Sequence, residues 1–116
     1  YTLADSEKDL DRALVLVKKA LQLDPENGFI LDSLAWVYYK QGKVQKAWET
    51  IEQAISKVHN DPIIWDHYGD IALSADLPQK AKKGYQKALE LGIQNPETIR
   101  KKLRSLPKPV NGPENS

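Results

Sequence analysis

Two histidines are the residues of this sequence with the widest catalytic and metal-binding chemistry, and one of them has acidic neighbours. Asp66 precedes His67, and Asp70 follows His67 three residues later. Residues three apart share one face of a helix, so His67 and Asp70 could supply two ligands to a metal ion. Two ligands do not complete a site, and His59 falls in a stretch without helical spacing. We therefore expect His67 to be an ordinary polar residue, and we predict no metal site.

Other catalytic arrangements are missing from the sequence. The chain has no cysteine, which excludes a thiol nucleophile, a disulfide framework and a cysteine-based metal site. It has neither a Ser, His and Asp spacing suited to nucleophilic catalysis nor a glycine-rich loop that could hold a phosphate. No apolar run approaches the length of a transmembrane helix. We therefore predict a protein that is not an enzyme and that needs no cofactor.

Composition and charge are those of a small globular domain with a basic end. The 116 residues are 41% hydrophobic and 28% charged, and their net charge is +1. Residues 96–108 carry five basic residues and one acidic residue, a net of +4, and residues 1–95 carry a net of −2. A slightly acidic body is a poor general binder of nucleic acid, because phosphate contacts dominate that affinity. We expect no nucleic-acid partner, and we interpret the basic end as a solvated helix face.

An internal repeat organises most of the chain. When the sequence is aligned with itself at a shift of 34, small residues match small ones and large residues match large ones. The matched sets are Ala13, Ala47 and Ala81; Ala20, Ala54 and Ala88; Val17, Ile51 and Tyr85; Leu34 and Tyr68; Ala35 and Gly69. Within each unit the apolar residues recur every three or four positions, which is the period of a helix. Each unit is therefore predicted to be two antiparallel helices, whose alanines and glycines allow close approach.

The predicted elements are six helices with recognisable ends. Ser6 has the residue type of an N-cap, and so do Asp61 and Asn95, each of which precedes a proline. Gly42 is expected to end a helix within the turn 41–43. The predicted helices cover residues 7–23, 28–41, 44–58, 62–75, 78–91 and 96–105.

These motifs resemble the tetratricopeptide repeat, as it occurs in bacterial proteins with many such repeats. One unit reads Leu31-x2-Leu34-Ala35-x2-Tyr38, then Ala47-x3-Ile51 and Ala54; the next reads Trp65-x2-Tyr68-Gly69-x2-Ala72, then Ala81-x3-Tyr85 and Ala88. The resemblance implies an all-α fold, a right-handed α-solenoid of antiparallel helix hairpins that acts as a protein–protein interaction scaffold. It implies about two and a half repeats and a C-terminal capping helix.

The repeat also divides the chain into segments. We assign a partial repeat to residues 1–27, full repeats to 28–61 and 62–95, and a capping helix to 96–106. Residues 107–116, with three prolines and a glycine, are predicted to be a disordered tail or linker. In the capping helix we expect Ile99, Leu103 and Leu106 to face inward, and Arg100, Lys101 and Lys102 to face water.

Several residues do not fall on the packing positions of the repeat. In the family that the chain resembles, the corresponding helix faces line a concave groove that binds a partner segment. The expected groove residues are Phe29, Asp32, Trp36, Tyr39, Asp66, Asp70, Arg100 and Arg104. The aromatic residues are predicted to supply apolar contacts. The three aspartates are predicted to select lysine or arginine in the partner.

Some tetratricopeptide domains hold the C-terminal carboxylate of a chaperone with lysine, asparagine and arginine residues along this groove. Here Asp32, Trp36, Asp66 and Asp70 occupy the corresponding positions. Carboxylates repel an acidic peptide, so the sequence disfavours a chaperone adaptor. A protein or peptide with basic and apolar residues is the expected partner.

A structural role is the alternative function. Tyr1, Leu3 and Ala4 are interpreted as the last turn of an otherwise missing first helix, which most simply reflects excision from a longer array. The second helix of that unit would then leave one apolar edge without cover. We predict that this edge, formed by Leu14, Val17 and Leu21, supports a weak homo-oligomer.

Overall fold

The computed structural model describes residues 7–107, and these fold into six α-helices without a strand. This confirms the predicted all-α class. The helices are α1 Glu7–Leu23, α2 Gly28–Lys40, α3 Val44–Lys57, α4 Pro62–Ser74, α5 Pro78–Glu90 and α6 Pro96–Arg104. The expected cap at Ser6, the expected helical turn at residues 1–4 and most of the expected tail lie outside the described residues.

The helix starts agree with the sequence prediction, but α2 to α6 each end one residue earlier. The residue after each helix is its C-cap; these are Gln41, Val58, Ala75, Leu91 and Ser105. Each of these C-caps still donates its N–H to a helix carbonyl, as Val58 does to Ala54 O, and the backbone of Val58 is extended. The apolar period alone cannot separate the last helical residue from its cap.

The chain divides into two compact units, residues 1–59 and 60–116, which are described one at a time. In the first unit α2 packs against both α1 and α3, and in the second unit α5 packs against both α4 and α6. Each unit therefore contains one full helix hairpin, α2 with α3 or α4 with α5, and one additional helix.

The two hairpin turns share one backbone geometry, although their sequences differ. Lys43 N donates to Tyr38 O at 2.9 Å in the first unit, and Leu77 N donates to Ala72 O at 2.9 Å in the second. The residue before each donor has a positive φ, +77° at Gly42 and 62° at Asp76. Glycine adopts this left-handed conformation without strain, and aspartate is among the few other residues that tolerate it. The expected helix stop at Gly42 is confirmed.

The core of each unit contains the side chains that the repeat placed on packing positions. The four aromatic residues expected to be buried are at most 8% exposed; they are Tyr38, Trp65, Tyr68 and Tyr85. Ala47, Ala54, Ala81 and Ala88 have no exposed surface. Trp48, which lies at the margin of the α3 stripe, is also buried.

Two glycines allow α4 and α5 to approach each other closely. A Cβ at Gly84 would lie 2.8 Å from Gly69 N and 2.8 Å from Trp65 O, both backbone atoms of α4. A Cβ at Gly69 would lie 2.5 Å from the ring of Tyr85. These contacts agree with the expectation that alanines and glycines on the paired helices allow close approach.

Two residues before prolines were predicted to cap helices with their side chains. The structure confirms this prediction for Asp61 and contradicts it for Asn95. Asp61 Oδ1 accepts hydrogen bonds from Ile63 N at 2.9 Å and Ile64 N at 3.1 Å, as the sequence predicts. Asn95 makes no such bond, because its backbone is left-handed, with φ 58° and ψ 55°. A side chain reaches the first N–H groups of a helix from an extended cap residue, and Asn95 is not extended.

This difference predicts opposite effects of substitution at the two positions. Asp61→Ala should lower the free energy of unfolding by about 1 kcal/mol, since it leaves two amides without their acceptor. Asn95→Gly should leave stability unchanged or raise it by less than about 1 kcal/mol, because glycine adopts a positive φ without strain. Urea unfolding measures both, with Asp61→Asn as the control that keeps a cap. A loss at Asn95→Gly as large as that at Asp61→Ala would contradict the assigned geometry.

Candidate partner-binding faces

One side of α2 carries the aromatic residues that the sequence assigned to partner binding. Phe29 is 56% exposed, whereas Trp36 and Tyr39 are half-buried. The rings of Trp36 and Tyr39 contact each other, with centroids 4.7 Å apart and planes inclined at 35°. We call these three residues the α2 face. An exposed phenyl ring beside a preformed aromatic pair is suited to bind apolar side chains.

Asp32 lies on the same helix but contributes little surface. It is only 9% exposed and counts among the buried residues of α2. A carboxylate can select a basic side chain by direct contact only if the partner can reach it. Selection of a basic partner by Asp32 therefore stays a prediction, with less surface to support it than at the other two aspartates.

The corresponding side of α4 combines apolar and acidic residues. Ile63 is 55% exposed and Leu73 is 40% exposed, and the half-buried Asp66 and Asp70 lie between them in the sequence. We call these four residues the α4 face. At the repeat shift of 34, Ile63 corresponds to Phe29 and Leu73 to Tyr39. The hairpins of both units therefore present apolar side chains at equivalent positions.

The two aspartates of the α4 face already hold a cation from α6. Lys102 Nζ donates to Asp66 Oδ1 at 2.9 Å and to Asp70 Oδ2 at 3.2 Å. Tyr85 OH donates to Asp70 Oδ1 at 2.6 Å, and Lys102 Nζ lies 5.5 Å from the centre of the Tyr85 ring. We call this arrangement the Lys102 contact. It offers an ammonium group charge-assisted hydrogen bonds and one aromatic face.

The Lys102 contact also changes the acidity of the lysine. Partial burial is the largest effect on this ammonium and lowers its pKa, but the hydrogen bonds and charges of Asp66 and Asp70 together outweigh it. The pKa of Lys102 is therefore raised above the ordinary lysine value. A raised pKa in the folded state means that the contact stabilises the protein fully below the unfolded-state pKa. That stabilisation is lost only as the pH rises through the folded-state pKa, so the contact is intact at neutral pH.

The arginines of α6 are more open to solvent. Arg100 Nη1 lies 3.1 Å from Glu97 Oε2, and Arg104 Nη2 lies 3.9 Å from Glu97 Oε1. The arginine side chains are 52% and 63% exposed. Both guanidinium groups are therefore accessible to a partner. Exposed ion pairs of this kind contribute little to stability, so a partner could replace them at small cost.

Comparison with known proteins explains the paired helices. The family model described as tetratricopeptide repeat matches residues 6–71, which is more than half of the chain. The chain belongs to the tetratricopeptide repeat family. The resemblance inferred from the sequence motifs is thereby confirmed.

A curated bacterial relative has the same repeat. A TPR repeat-containing protein of Pseudomonas aeruginosa is 37% identical to this chain over 70 residues. The match covers 60% of this chain but only 12% of that protein.

Solved tetratricopeptide structures share the fold. The first TPR domain of Spaghetti (RPAP3), bound to the HSP90 peptide SRMEEVD, superposes with a TM-score of 0.76 at 23% identity. That alignment covers 84% of this chain and 77% of the other. A thermophilic TPR protein of Thermus thermophilus gives a TM-score of 0.73 at 25% identity, over 85% of this chain and 50% of the other. These similarities confirm the helical fold class.

Lys102 of this tetratricopeptide chain lies elsewhere than its sequence predicts. It was expected to face water, but it is half-buried and paired with Asp66 and Asp70. The repeat itself contained the missing signal, because Lys102 corresponds to Tyr68 and Leu34 at the shift of 34, and both are buried. The inward prediction for Ile99, which is 2% exposed, is confirmed.

The apolar edge of α1 also differs from the expectation. Leu14, Val17 and Leu21 are half-buried, on the helix that packs against α2. The large apolar side chains of α1 that are exposed are instead Val15 at 54%, Leu16 at 60% and Leu23 at 89%. Self-association through Leu14, Val17 and Leu21 stays a prediction, and Val15, Leu16 and Leu23 form a second, more exposed apolar set on the same helix.

Neither a metal cluster nor a membrane span occurs in the described part of the chain. Residues 7–107 contain no group of three or more histidine and acidic side chains that could hold a metal ion. None of the six helices is long and apolar enough to cross a membrane. His67 is half-buried on α4.

Proposed function

We propose that this tetratricopeptide chain binds a segment of a partner protein through the α2 face and the α4 face. Tetratricopeptide domains generally act in protein–protein interaction. The finer assignment rests on the exposed apolar residues that both helices present. Each face is a separate surface of its own unit.

The main support is that large apolar side chains are exposed at the same repeat positions in both units. Phe29 and Ile63 correspond at the repeat shift and are 56% and 55% exposed. Leu73, which corresponds to Tyr39, is 40% exposed. A fully buried side chain of this size contributes roughly 1.5–3 kcal/mol relative to an exposed one. Exposed apolar side chains at equivalent positions of two helices favour a binding surface over chance exposure.

The charges of the α4 face indicate the chemistry of the partner. Asp66 and Asp70 hold the ammonium of Lys102 in the described structure, so their geometry suits a basic side chain. We therefore infer a partner segment that combines an apolar side chain with lysine or arginine. Arg100 and Arg104 could in addition meet an acidic residue elsewhere in such a segment.

An acidic C-terminal peptide fits these faces poorly. The structural neighbour described above binds SRMEEVD. At the positions where a carboxylate clamp needs lysine or asparagine, this chain has Asp32, Trp36, Asp66 and Asp70. The acidic side chains of such a peptide would be repelled by Asp66 and Asp70, and the charge of Lys102 is already compensated by these two aspartates.

Selection from a random peptide library displayed on phage tests the proposed chemistry. We expect the recovered peptides to be enriched in aromatic or aliphatic residues and in lysine or arginine, and depleted in aspartate and glutamate. Fluorescence anisotropy should then give a dissociation constant at least about tenfold lower for a recovered peptide than for SRMEEVD. Recovery of acidic peptides, or tight binding of SRMEEVD, would overturn the assigned partner chemistry.

Self-association is a second candidate function, favoured by the exposed residues of α1. Leu16 and Leu23 lie seven residues apart, which places them on one side of the helix, and both are exposed. An apolar stripe of this kind can be covered by its equivalent in a second copy, in a two-fold arrangement.

Sedimentation equilibrium decides between association and a monomer. We expect the wild-type chain to show a weak dimer with a dissociation constant of about 0.1–1 mM. Leu16→Glu should abolish it, because a carboxylate in an apolar contact is not solvated. Gln53→Glu, at an exposed position of α3, changes the net charge by the same amount and serves as the control. A wild-type chain that stays monomeric at about 1 mM would remove this candidate.

A further inference from the structure

The Lys102 contact has the composition of a complete binding site for one ammonium group. Three carboxylate oxygens surround Lys102 Nζ, with Asp66 Oδ1 at 2.9 Å, Asp70 Oδ1 at 3.1 Å and Asp70 Oδ2 at 3.2 Å. The aspartate side chains are only 21% and 18% exposed, so the ion pair is partly shielded from water. Shielded, charge-assisted hydrogen bonds are stronger than exposed ones.

The lysine reaches this site from a helix that is packed elsewhere. α6 packs against α5, and its buried side chain is Ile99. Lys102 occupies the repeat position at which Leu34 and Tyr68 are buried in the preceding units. At the same position in α6 a flexible lysine replaces a large apolar residue, and its charged end lies on the aspartates of α4.

This inference rests on the proposed function of the α4 face. We propose that Lys102 is an internal substitute for a lysine of the partner, and that partner binding displaces it from Asp66 and Asp70. The two aspartates of the α4 face are therefore occupied by a lysine of their own chain until a competing ammonium group arrives, while Ile63 and Leu73 stay exposed.

The geometry favours lysine over arginine as the competing side chain. An ammonium is a compact charge whose three N–H groups can be directed independently. A guanidinium binds best as a planar fork to both oxygens of one carboxylate. At Asp70 one of those oxygens, Oδ1, already accepts the hydroxyl of Tyr85 at 2.6 Å. A lysine can share that oxygen, as Lys102 does at 3.1 Å.

Occupation of the aspartates by Lys102 lowers the affinity of the chain for a lysine of the partner. A tethered group competes at the high effective concentration of an intramolecular contact, which is in the millimolar range. A partner lysine therefore binds only to the fraction of molecules in which Lys102 has left the site. The tethered ammonium is charged at neutral pH, as any lysine with an ordinary or raised pKa is, so it competes there.

A small ammonium probe can test the site without an identified partner. n-Butylammonium chloride is titrated into 15N-labelled protein at constant ionic strength, and the amide shifts of Asp66, Asp70 and Tyr85 are followed. Lys102→Met keeps the unbranched apolar stem of the side chain but removes the ammonium group. We expect this variant to bind the probe with a dissociation constant about tenfold lower than that of the wild type.

Two controls define the specificity of the probe. Lys101→Met, at the exposed neighbouring position, should behave as the wild type. n-Butylguanidinium should bind the Lys102→Met variant more weakly than n-butylammonium does. Equal binding of n-butylammonium to the wild type and to Lys102→Met would overturn the proposal, and so would a preference for the guanidinium.

A measurement on the wild type covers the case in which the variant does not fold. At high n-butylammonium concentration the side-chain 15Nζ signal of Lys102 should move to the position of a solvated lysine such as Lys101. An unchanged Lys102 signal at a concentration that shifts Asp66 and Asp70 would show that the probe does not displace it, which overturns the proposal.

The outcomes separate this inference from the proposed function. Peptides recovered in the library selection should bind Lys102→Met about tenfold more tightly than the wild type if displacement is required. Ammonium binding without any recovered peptide would leave the site intact and count against the proposed partner binding. Peptides that are weakened by Asp66→Asn but bind the wild type and Lys102→Met equally would support the proposed function and overturn displacement.

Discussion

Replacing Gly84 with alanine should lower the free energy of unfolding by about 2–3 kcal/mol, although alanine is the better helix former. In an exposed helix interior the same substitution would stabilise by roughly 1 kcal/mol. Here the added methyl would lie 2.8 Å from two backbone atoms of α4, Gly69 N and Trp65 O. Backbone atoms cannot turn aside as the end of a flexible side chain can. The helices must separate, and contacts along the hairpin are lost.

Urea unfolding monitored by circular dichroism measures this effect. Gly92→Ala is the control, since φ is +81° at that residue and no atom lies within 4 Å of the added Cβ. It should cost roughly 1–2 kcal/mol, from the left-handed backbone alone. A Gly84→Ala variant that is more stable than the wild type would show that α4 and α5 do not approach each other closely at this point.

Truncating Trp36 to alanine should weaken binding of a selected peptide by at least about 2 kcal/mol, or roughly thirtyfold. Trp36 is half-buried against Tyr39, with ring centroids 4.7 Å apart, so its indole is held in place before a partner arrives. A rigid aromatic side chain loses little conformational entropy on binding, which is why such residues dominate many interfaces. Phe29→Ala should have a smaller effect of about 1 kcal/mol, since its more exposed ring is less fixed.

Isothermal titration calorimetry on variants of matched helicity measures these losses. Val15→Ala is the control, because Val15 is 54% exposed but lies on α1, outside the α2 face. It should leave the affinity unchanged. If Trp36→Ala and Val15→Ala had equal affinities for a selected peptide, the α2 face would not be its binding site.

The helices could be predicted from the sequence because their signals are local. Repeated alanines at Ala47 and Ala81 and large residues at Ile51 and Tyr85 mark buried faces at helical spacing. The caps were predictable only in part. Asp61 and Asn95 each precede a proline, but the conformation of the chain before α6 sets Asn95 in the left-handed region. The type of a residue shows whether its side chain is able to cap a helix. The backbone conformation at that residue decides whether the side chain reaches the first amides of the helix.

The candidate site was predictable to a similar degree. The exposure of Phe29 agrees with the sequence argument, because a large apolar residue that is off the packing stripe must face outward. The sequence treated Asp32, Asp66 and Asp70 as equivalent, yet Asp32 is buried and the other two share one lysine. Burial and pairing of a polar side chain depend on neighbours that are distant in sequence, and no local period reports them.

By itself the sequence determined the family, the all-α class and the positions of the six helices of the described chain, because a 34-residue period fixes which side chains face inward. Only the tertiary structure decided where the charges lie. The Lys102 contact joins residues 36 and 32 positions apart, and its formation depends on how α6 packs against α5. A long, flexible side chain can point to water or to a carboxylate with the same sequence around it. That choice is made by the oxygen atoms that packing brings within about 3 Å of its ammonium group.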